Sequence, residues 1–571
     1  MALVKFVTNY KALKILPIQS MSLIKVSFSI AALFAAGLLT AFAQGPPYSW
    51  QHLPRVNTPV FKKDTINILS YGAKPDGITL NTANINKAIA ACSKKGGGVV
   101  LIPQGLWLTG PLVLQSNVNL HVSRAALLQF TDDKTQYKLI EGNYEGHAAV
   151  RNESPISGTN LQNIAITGDG IIDGHGEVWR AIGKDRLTEN EWKKLVASGG
   201  VVSENGKSWY PSESFMKGVK TPGAGVLGHG KTIKDNESMK DFFRPNMLVL
   251  TNCKNVLLQG VTLQNSPAWD IHTLLCEHLT MQNVRVRNAW NAQNGDGIDV
   301  ESCKNVLIEG STFDAGDDGI CIKSGRDEEG RKRGKPTENV IVRNNVVYRA
   351  HGGFVIGSEM SGGARNIFVS DCTFIGTDIG LRFKTTRGRG GVVENIFIKN
   401  ISMKDILHEA ILFDMYYGGK SPGESDEVND QANFPVTEAT PAFRNFYVNN
   451  VVCNGAEKAI MIRGLPEMSI KGIHIENSIF KTNDGIDIIE AQNISLKNVH
   501  LDSKNTSPLI NIKNGSSIIL SGITYNQAQL LLKIAGKKSA QVQLLNTDAS
   551  KAKNKVEFGS GAQSSSLIPA K

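Results

Sequence analysis

The sequence predicts an all-β chain wound as a single-stranded parallel β-helix, and two observations carry that expectation. The first is a phrase that returns along the chain: Asn, an apolar residue, any residue, an apolar residue. It begins at Asn163, Asn255, Asn305, Asn339, Asn366, Asn395 and Asn493, with His278 holding the equivalent place between the second and third. The second is that the steps from Asn255 to Asn395 are unequal, between 23 and 34 residues. A horseshoe or a propeller keeps a stricter period, whereas stacked coils fix the phase of short strands and let corner loops vary. A β-sandwich with similar strands is the competing fold.

Composition agrees. Fifty-six glycines and 20% charged residues among 571 suit strands and turns, and repeat folds run long as one body. The net charge is +10, or +6 once four leader lysines are set aside. Without Lys/Arg blocks this weak basicity points away from nucleic acid and favours an anionic partner only slightly.

Taken in order, residues 1–43 are expected to be a signal peptide with its true start at Met21. Lys25 precedes an apolar run from Val26 to Leu39, and Ala41-Phe42-Ala43 forms a small-x-small cleavage pattern before Gln44. The run is short for a membrane span, so an exported protein, periplasmic or secreted, with no membrane insertion after cleavage is expected. Residues 44–63, with Pro46, Pro47, Pro54 and Pro59, read as an extended arm, and 64–550 as the coil.

A helix is expected from about Asn81 or Thr82, because Ile85, Ala88, Ile89 and Cys92 fall on one face. Gly96-Gly97-Gly98 should end it. Two excursions leave the coil, near 177–245 and 416–441. The first carries Trp179, Trp192, Trp209 and Tyr210 and a short helix near Thr188 to Val196. It reads either as a cleft wall or as a solvated insertion. Coils should run on to about Tyr525, and 551–571, rich in Ser, Ala, Gly and Lys, reads as a flexible tail.

The seven cysteines are an odd number, which argues against a full disulfide framework. Cys253, Cys276 and Cys303 each stand two residues ahead of Asn255, His278 and Asn305, and read as a buried ladder of small side chains.

The stretch from Asn294 to Lys384 concentrates the chemistry. It holds Asn294-Gly295-Asp296, Gly316-Asp317-Asp318-Gly319, Ala350-His351-Gly352 and Arg382-Phe383-Lys384. Asp317 and His351 lie 12 residues after Asn305 and Asn339, and Asp296 and Lys384 lie 18 after His278 and Asn366. Equal phase in stacked coils, about 4.8 Å apart, should place each pair on one face. Adjacent Asp317 and Asp318 can share a face only at a bend, which the flanking glycines permit. Clustered carboxylates repel and raise one another's proton affinity, the pairing of acid and base that glycosidic cleavage needs. Each segment alone has a plainer reading as a turn or a solvated face.

Together, in this order, the four segments resemble the polygalacturonases of glycoside hydrolase family 28, whose marks are Asn-Thr-Asp, Gly-Asp-Asp, Gly-His-Gly and Arg-Ile-Lys. Gly295, Ala350 and Phe383 depart from those marks without removing a charged group. Tyr71 to Gly77, Gly96 to Pro103 and Leu108 to Pro111 resemble the opening of right-handed β-helix pectin enzymes, in which the early helix caps the coil. The resemblance implies an inverting hydrolysis of α-1,4-galacturonosidic bonds. Asp317 would be the general acid, Asp296 and Asp318 would activate water, and His351 would hold the acid's protonation state. Arg382 and Lys384, with Asn294, would bind the galacturonate. Inversion would set acid and base roughly 6.5–9.5 Å apart.

Ser266 to His272, Phe354 to Glu359 and Thr385 to Gly391 are most similar to bacterial exo-acting members. Trp269, His272, Arg387 and Tyr416 are further candidates for sugar contact, and core or surface packing is the alternative for each. The expected partner is an acidic plant polysaccharide, polygalacturonate or pectin, with no cofactor, no metal and a monomeric chain. A rhamnogalacturonan or xylogalacturonan hydrolase, a calcium-dependent pectate lyase and a non-catalytic polysaccharide-binding β-helix remain the competing functions.

Overall fold

A computed structural model describes residues 48–227, 231–418 and 434–569. Two long parallel sheets of 25 and 14 strands run side by side, and the chain passes from one to the other once per coil as a right-handed parallel β-helix. One coil comprises Lys254–Gln259, Thr262–Gln264 and Ile271–Leu274; the next repeats it as Glu277–Gln282, Arg285–Arg287 and Ile298–Glu301. The partners match residue for residue, Val256 on Leu279 and Ile271 on Ile298.

The repeated asparagines explain that constancy. Each sits in the left-handed region, from Asn163 at φ 52° to Asn339 at φ 61°. Asn reaches that region at little cost because its short side chain bonds locally. The side chains then bond rung to rung, Asn255 to Asn163 at 3.0 Å, Asn339 to Asn305 at 3.0 Å and Asn366 to Asn339 at 3.2 Å. His278 takes the same conformation and instead meets the N-terminal arm, its Nδ1 accepting from the Asn57 N–H at 3.2 Å.

Alternate side chains point inward. Val256, Leu279, Val306, Val340, Ile367 and Ile396 stack as one buried file, each contributing on the order of 1.5–3 kcal/mol by leaving water. Cys253, Cys276 and Cys303 form a neighbouring file, and all seven cysteines are buried thiols. Thr82–Lys94 is the predicted helix. Its Ile85, Ala88, Ile89 and Cys92 lie buried over the first coil, covering strand edges that would otherwise recruit other chains. Gly97 ends it at φ +97°, where a Cβ would strike the Asn117 carbonyl.

The 177–245 region leaves the coil as a three-stranded antiparallel sheet, two helices, Glu189–Ala197 and Glu213–Val219, and the 3-10 segment Lys234–Phe242. Thr188 and Glu191 close a reciprocal cap on the first helix. The region packs on a second departure from the coil that the sequence pattern did not disclose, the hairpin Leu139–Tyr144 and His147–Asn152. Val150, Met239 and Phe243 form a small core between them, apart from the main one.

The tail departs from expectation. Ala552–Gly559 lies parallel on Ala528–Ala535, and Leu567–Ile568 on Val542–Gln543. Most of the Ala552–Gly559 strand faces solvent, so it shows no apolar alternation, and backbone pairing holds it. Most of the 416–441 excursion and all of the leader lie outside the described residues. Among those described, no helix is long and apolar enough to cross a membrane.

Candidate active site

The 14-stranded sheet brings the charged segments together. Asp317 occupies the bend before Asp318–Lys323, and the Asp318 N–H donates to Asp317 Oδ1 at 3.0 Å, so both carboxylates turn to one side. His351 lies one coil on, as equal phase requires: its N–H donates to the Asp317 carbonyl at 2.9 Å, and its Nδ1 lies 3.0 Å from Asp317 Oδ1. The other ring nitrogen lies 3.8 Å from Asp378.

Asp296 and Lys384 arrive by different routes, and their equal offset is a coincidence. The loop before Asp296 is longer than its counterpart before Asp318, and Ile298 pairs with Ile320, which sets Asp296 one coil below Asp318. Lys384 follows the register of Gly357 and Lys323, further along the strand. Gly357 is needed there, because a Cβ would run into the Lys384 carbonyl. Lys384 Nζ reaches back to Asp318 Oδ2 at 2.7 Å, while Arg382 Nη1 lies 3.3 Å from Asp318 Oδ1.

One oxygen from each of Asp296, Asp317 and Asp318 lies within 4.8 Å of the others. This is closer than the 6.5–9.5 Å expected for inversion, so carboxylate spacing does not argue for that outcome. Three carboxylates this close could also hold a cation, but both Asp318 oxygens are already engaged by Lys384 and Arg382.

The three carboxylates are electrostatically distinct. Burial opposes ionisation of Asp318, but Lys384 and Arg382 outweigh it and hold the group well below the usual range. Burial pushes Asp296 well above that range, and the charges of Asp299 and Asp317 add to the effect. The proton that such crowding demands is therefore favoured on Asp296, whose Oδ1 has no protein partner. The hydrogen bond that Asp317 accepts raises His351 above the ordinary imidazole value, against the pull of burial. Asp317 is the least buried of the three and, with His351 and Asp378, lines a cavity of about 710 Å³.

Beneath them lies an ionic layer that sequence reasoning missed. Lys323 Nζ sits 3.5 Å from Asp299 and 3.0 Å from Glu359. Burial pushes Asp299 up to about 8, Lys323 opposing and Asp318 adding to it. The recurrence of Lys323 and Lys384 at offset 18 from Asn305 and Asn366 was the available signal. Trp290, 56% exposed in the loop before Asp296, also lines the cavity, with the Arg186 guanidinium 5.3 Å from its ring centroid.

Three of the residues expected to touch sugar are buried, and a fourth is held in an ion pair. Trp269 is buried, stacked on Tyr144 at 5.2 Å with Lys323 Nζ 4.9 Å from its ring. His272 is buried against Glu301, 2.9 Å from Nε2. Tyr416 is buried in the main core, and Arg387 is spent on Glu467 at 2.6 and 3.0 Å. None of the four lines either cavity of the site. Asn294 stays at the site: its Oδ1 accepts from Arg244 Nη2 at 2.7 Å, and it lines a second cavity of about 500 Å³.

The chain is similar to known proteins. The family model described as glycosyl hydrolases family 28 matches residues 187–438, and a rhamnogalacturonase A/epimerase, pectate lyase-like model matches 65–239. A hyperthermoactive exopolygalacturonase from Thermotoga maritima is 32% identical, with a TM-score of 0.61 over 78% of this chain and 94% of that one. An exo-poly-alpha-D-galacturonosidase of Dickeya chrysanthemi is 28% identical over 74% of this chain and 68% of its own. A probable polygalacturonase of Vitis vinifera is 29% identical over 72% and 73%.

Proposed function

Since this chain belongs to glycoside hydrolase family 28 and is a polygalacturonase-like glycoside hydrolase, we propose that it removes galacturonate units from the non-reducing end of polygalacturonate, with inversion. The observation that carries the chemical reading is the division of labour among three adjacent carboxylates. Asp317, facing the cleft, protonates the leaving glycosidic oxygen with a proton drawn from the imidazolium of His351, whose Nδ1 lies 3.0 Å from Asp317 Oδ1. Asp318, kept ionised by Lys384 and Arg382, takes the proton of the attacking water, and neutral Asp296 orients that water. Water adds at the anomeric carbon as the bond to the leaving sugar breaks. His351 fixes the orientation of Asp317.

Arg382 and Lys384 were expected to grip the substrate. Their donors to Asp318 make them holders of the base first, and the exposed Trp290 offers the sugar-stacking face instead. Exo action is supported by the bacterial relatives named above and by the 177–245 excursion, which contributes Arg180 to Arg186 to one cavity and Tyr210 to Arg244 to the other. A cleft walled by such an excursion at both cavities favours chain ends over chain interiors.

Digestion of polygalacturonate tests both claims. Galacturonate monomer as the sole early product supports exo action, whereas a ladder of oligomers refutes it. Proton NMR of the first-formed anomer settles inversion: a β product from the α bond supports it, and an α product refutes it. We further propose export of the protein, for which fractionation of the producing cells is the test.

A further inference from the structure

Past Ala181 and Gln293, which line both cavities, the cleft opens into the second one. Arg151, from the hairpin, and Arg244, from the end of the excursion, meet there. The Arg151 guanidinium lies 3.7 Å over the Tyr144 ring and donates to the Arg244 carbonyl. Arg244 donates to the Pro267 and Gln293 carbonyls at 3.0 and 2.7 Å, besides Asn294. Every one of these acceptors is neutral.

Among the described residues neither Arg151 nor Arg244 forms an ion pair, whereas Arg326 in the same cavity holds Glu145 at 3.0 Å. Burial pulls Arg151 down to about 10, and the Arg244 charge pushes the same way. Arg244 is buried and Arg151 half-buried; the charges of Glu145, Asp296 and Asp317 favour the charged Arg244 without reaching it as ion pairs, and an incoming anion bonded to both guanidiniums offsets the desolvation they still bear. The guanidinium fork matches a planar carboxylate in two-point contact. The remaining wall is apolar, with Phe215, Val219 and Phe242, and suits the carbon face of a sugar ring.

We infer that Arg151 and Arg244 bind the free carboxylate of a uronate unit beside the bond being cut, so that this pair rejects methyl-esterified sugar at that position. The assignment rests on the polygalacturonase reading. It adds the residues that select the acid form and predicts that an ester there leaves both guanidiniums without a bonded anion.

The test compares wild type, R151Q and R151K on trigalacturonate and on its methyl ester, with galacturonate binding followed by titration calorimetry. Wild type should prefer the free acid. R151Q should lose roughly 30-fold or more in kcat/KM on the acid, mainly through KM, with little change on the ester and weakened galacturonate binding. R151K, which keeps the charge without the fork, should fall between. A folded R151Q or R151K with unchanged KM, ester preference and galacturonate affinity overturns the inference. Failure of wild type to cleave polygalacturonate would instead sink the functional reading; loss of galacturonate binding in R151Q would still support the anion site.

Discussion

The central coils, from Ile271 to Asp414, and the later ones, from Lys458 to Gly559, share one sheet, one register and one file of inward aliphatic residues. They treat charge in opposite ways. In the later coils most charges pair near solvent, Lys458 with Asp484 and Asp487, and Lys533 with Glu557, with Glu490 buried beside Lys538 as the exception. In the central coils they are buried: Asp296, Asp299, Asp318, Lys323 and Lys384. Among the described residues, every buried side-chain polar atom without a protein partner falls between Asn143 and Tyr416. The coil is thus a neutral carrier. Reactivity comes from side chains that the loops and neighbouring rungs deprive of water and leave incompletely satisfied.

Four substitutions probe that contrast. The largest effect is expected from Asp317→Asn, which should lower kcat on polygalacturonate by roughly 10²–10⁴-fold while thermal unfolding stays close to wild type. Next, Lys384→Met strips a buried partner from Asp318, a change that typically costs about 3–5 kcal/mol, and should move the acidic limb of the kcat/KM profile upward. Asp318 stabilises the fold above the unfolded carboxylate value of about 3.9. That contribution is lost as pH falls towards its depressed folded value, and Lys384→Met should remove it from denaturant curves taken across that range.

Asp299→Asn is expected to act with the opposite sign. A carboxyl raised to about 8 in the folded state binds its proton more tightly than in the unfolded chain. Its contribution to stability is therefore full below about 4 and is lost as pH rises through about 8. The variant should flatten the decline in urea midpoint between those limits and be more stable than wild type at the alkaline end. The smallest effect belongs to the later coils. Lys533→Ala, in an exposed pair, should change stability by at most about 1 kcal/mol and leave kcat alone. A large loss there would break the division between carrier and site.

Much of this was legible in the chain because the responsible residues act locally. Asn at a left-handed bend announces each coil, and Ile85, Ala88, Ile89 and Cys92 announce the capping helix. The Asp, His, Arg and Lys segments stand out by charge in an apolar background. The hidden parts depend on distant chain. Arg151 and Tyr144 sit in a hairpin with no repeat signal and reach the cleft only because the 177–245 excursion leans on them. Trp269 and Tyr416 read as sugar platforms, since nothing local tells a buried ring from an exposed one. The offset shared by Asp296 and Lys384 misled because a longer loop precedes Asp296, and only the pairing of Ile298 with Ile320 reveals it.

The file of left-handed asparagines has a consequence for descent. Because each bend resets the phase of its own rung, residues gained or lost in a corner loop do not shift the rungs above and below. Ancestors and cousins of this protein can therefore trade whole loops, and with them the length and decoration of the polymer they accept, while the proton-transfer apparatus passes through unchanged.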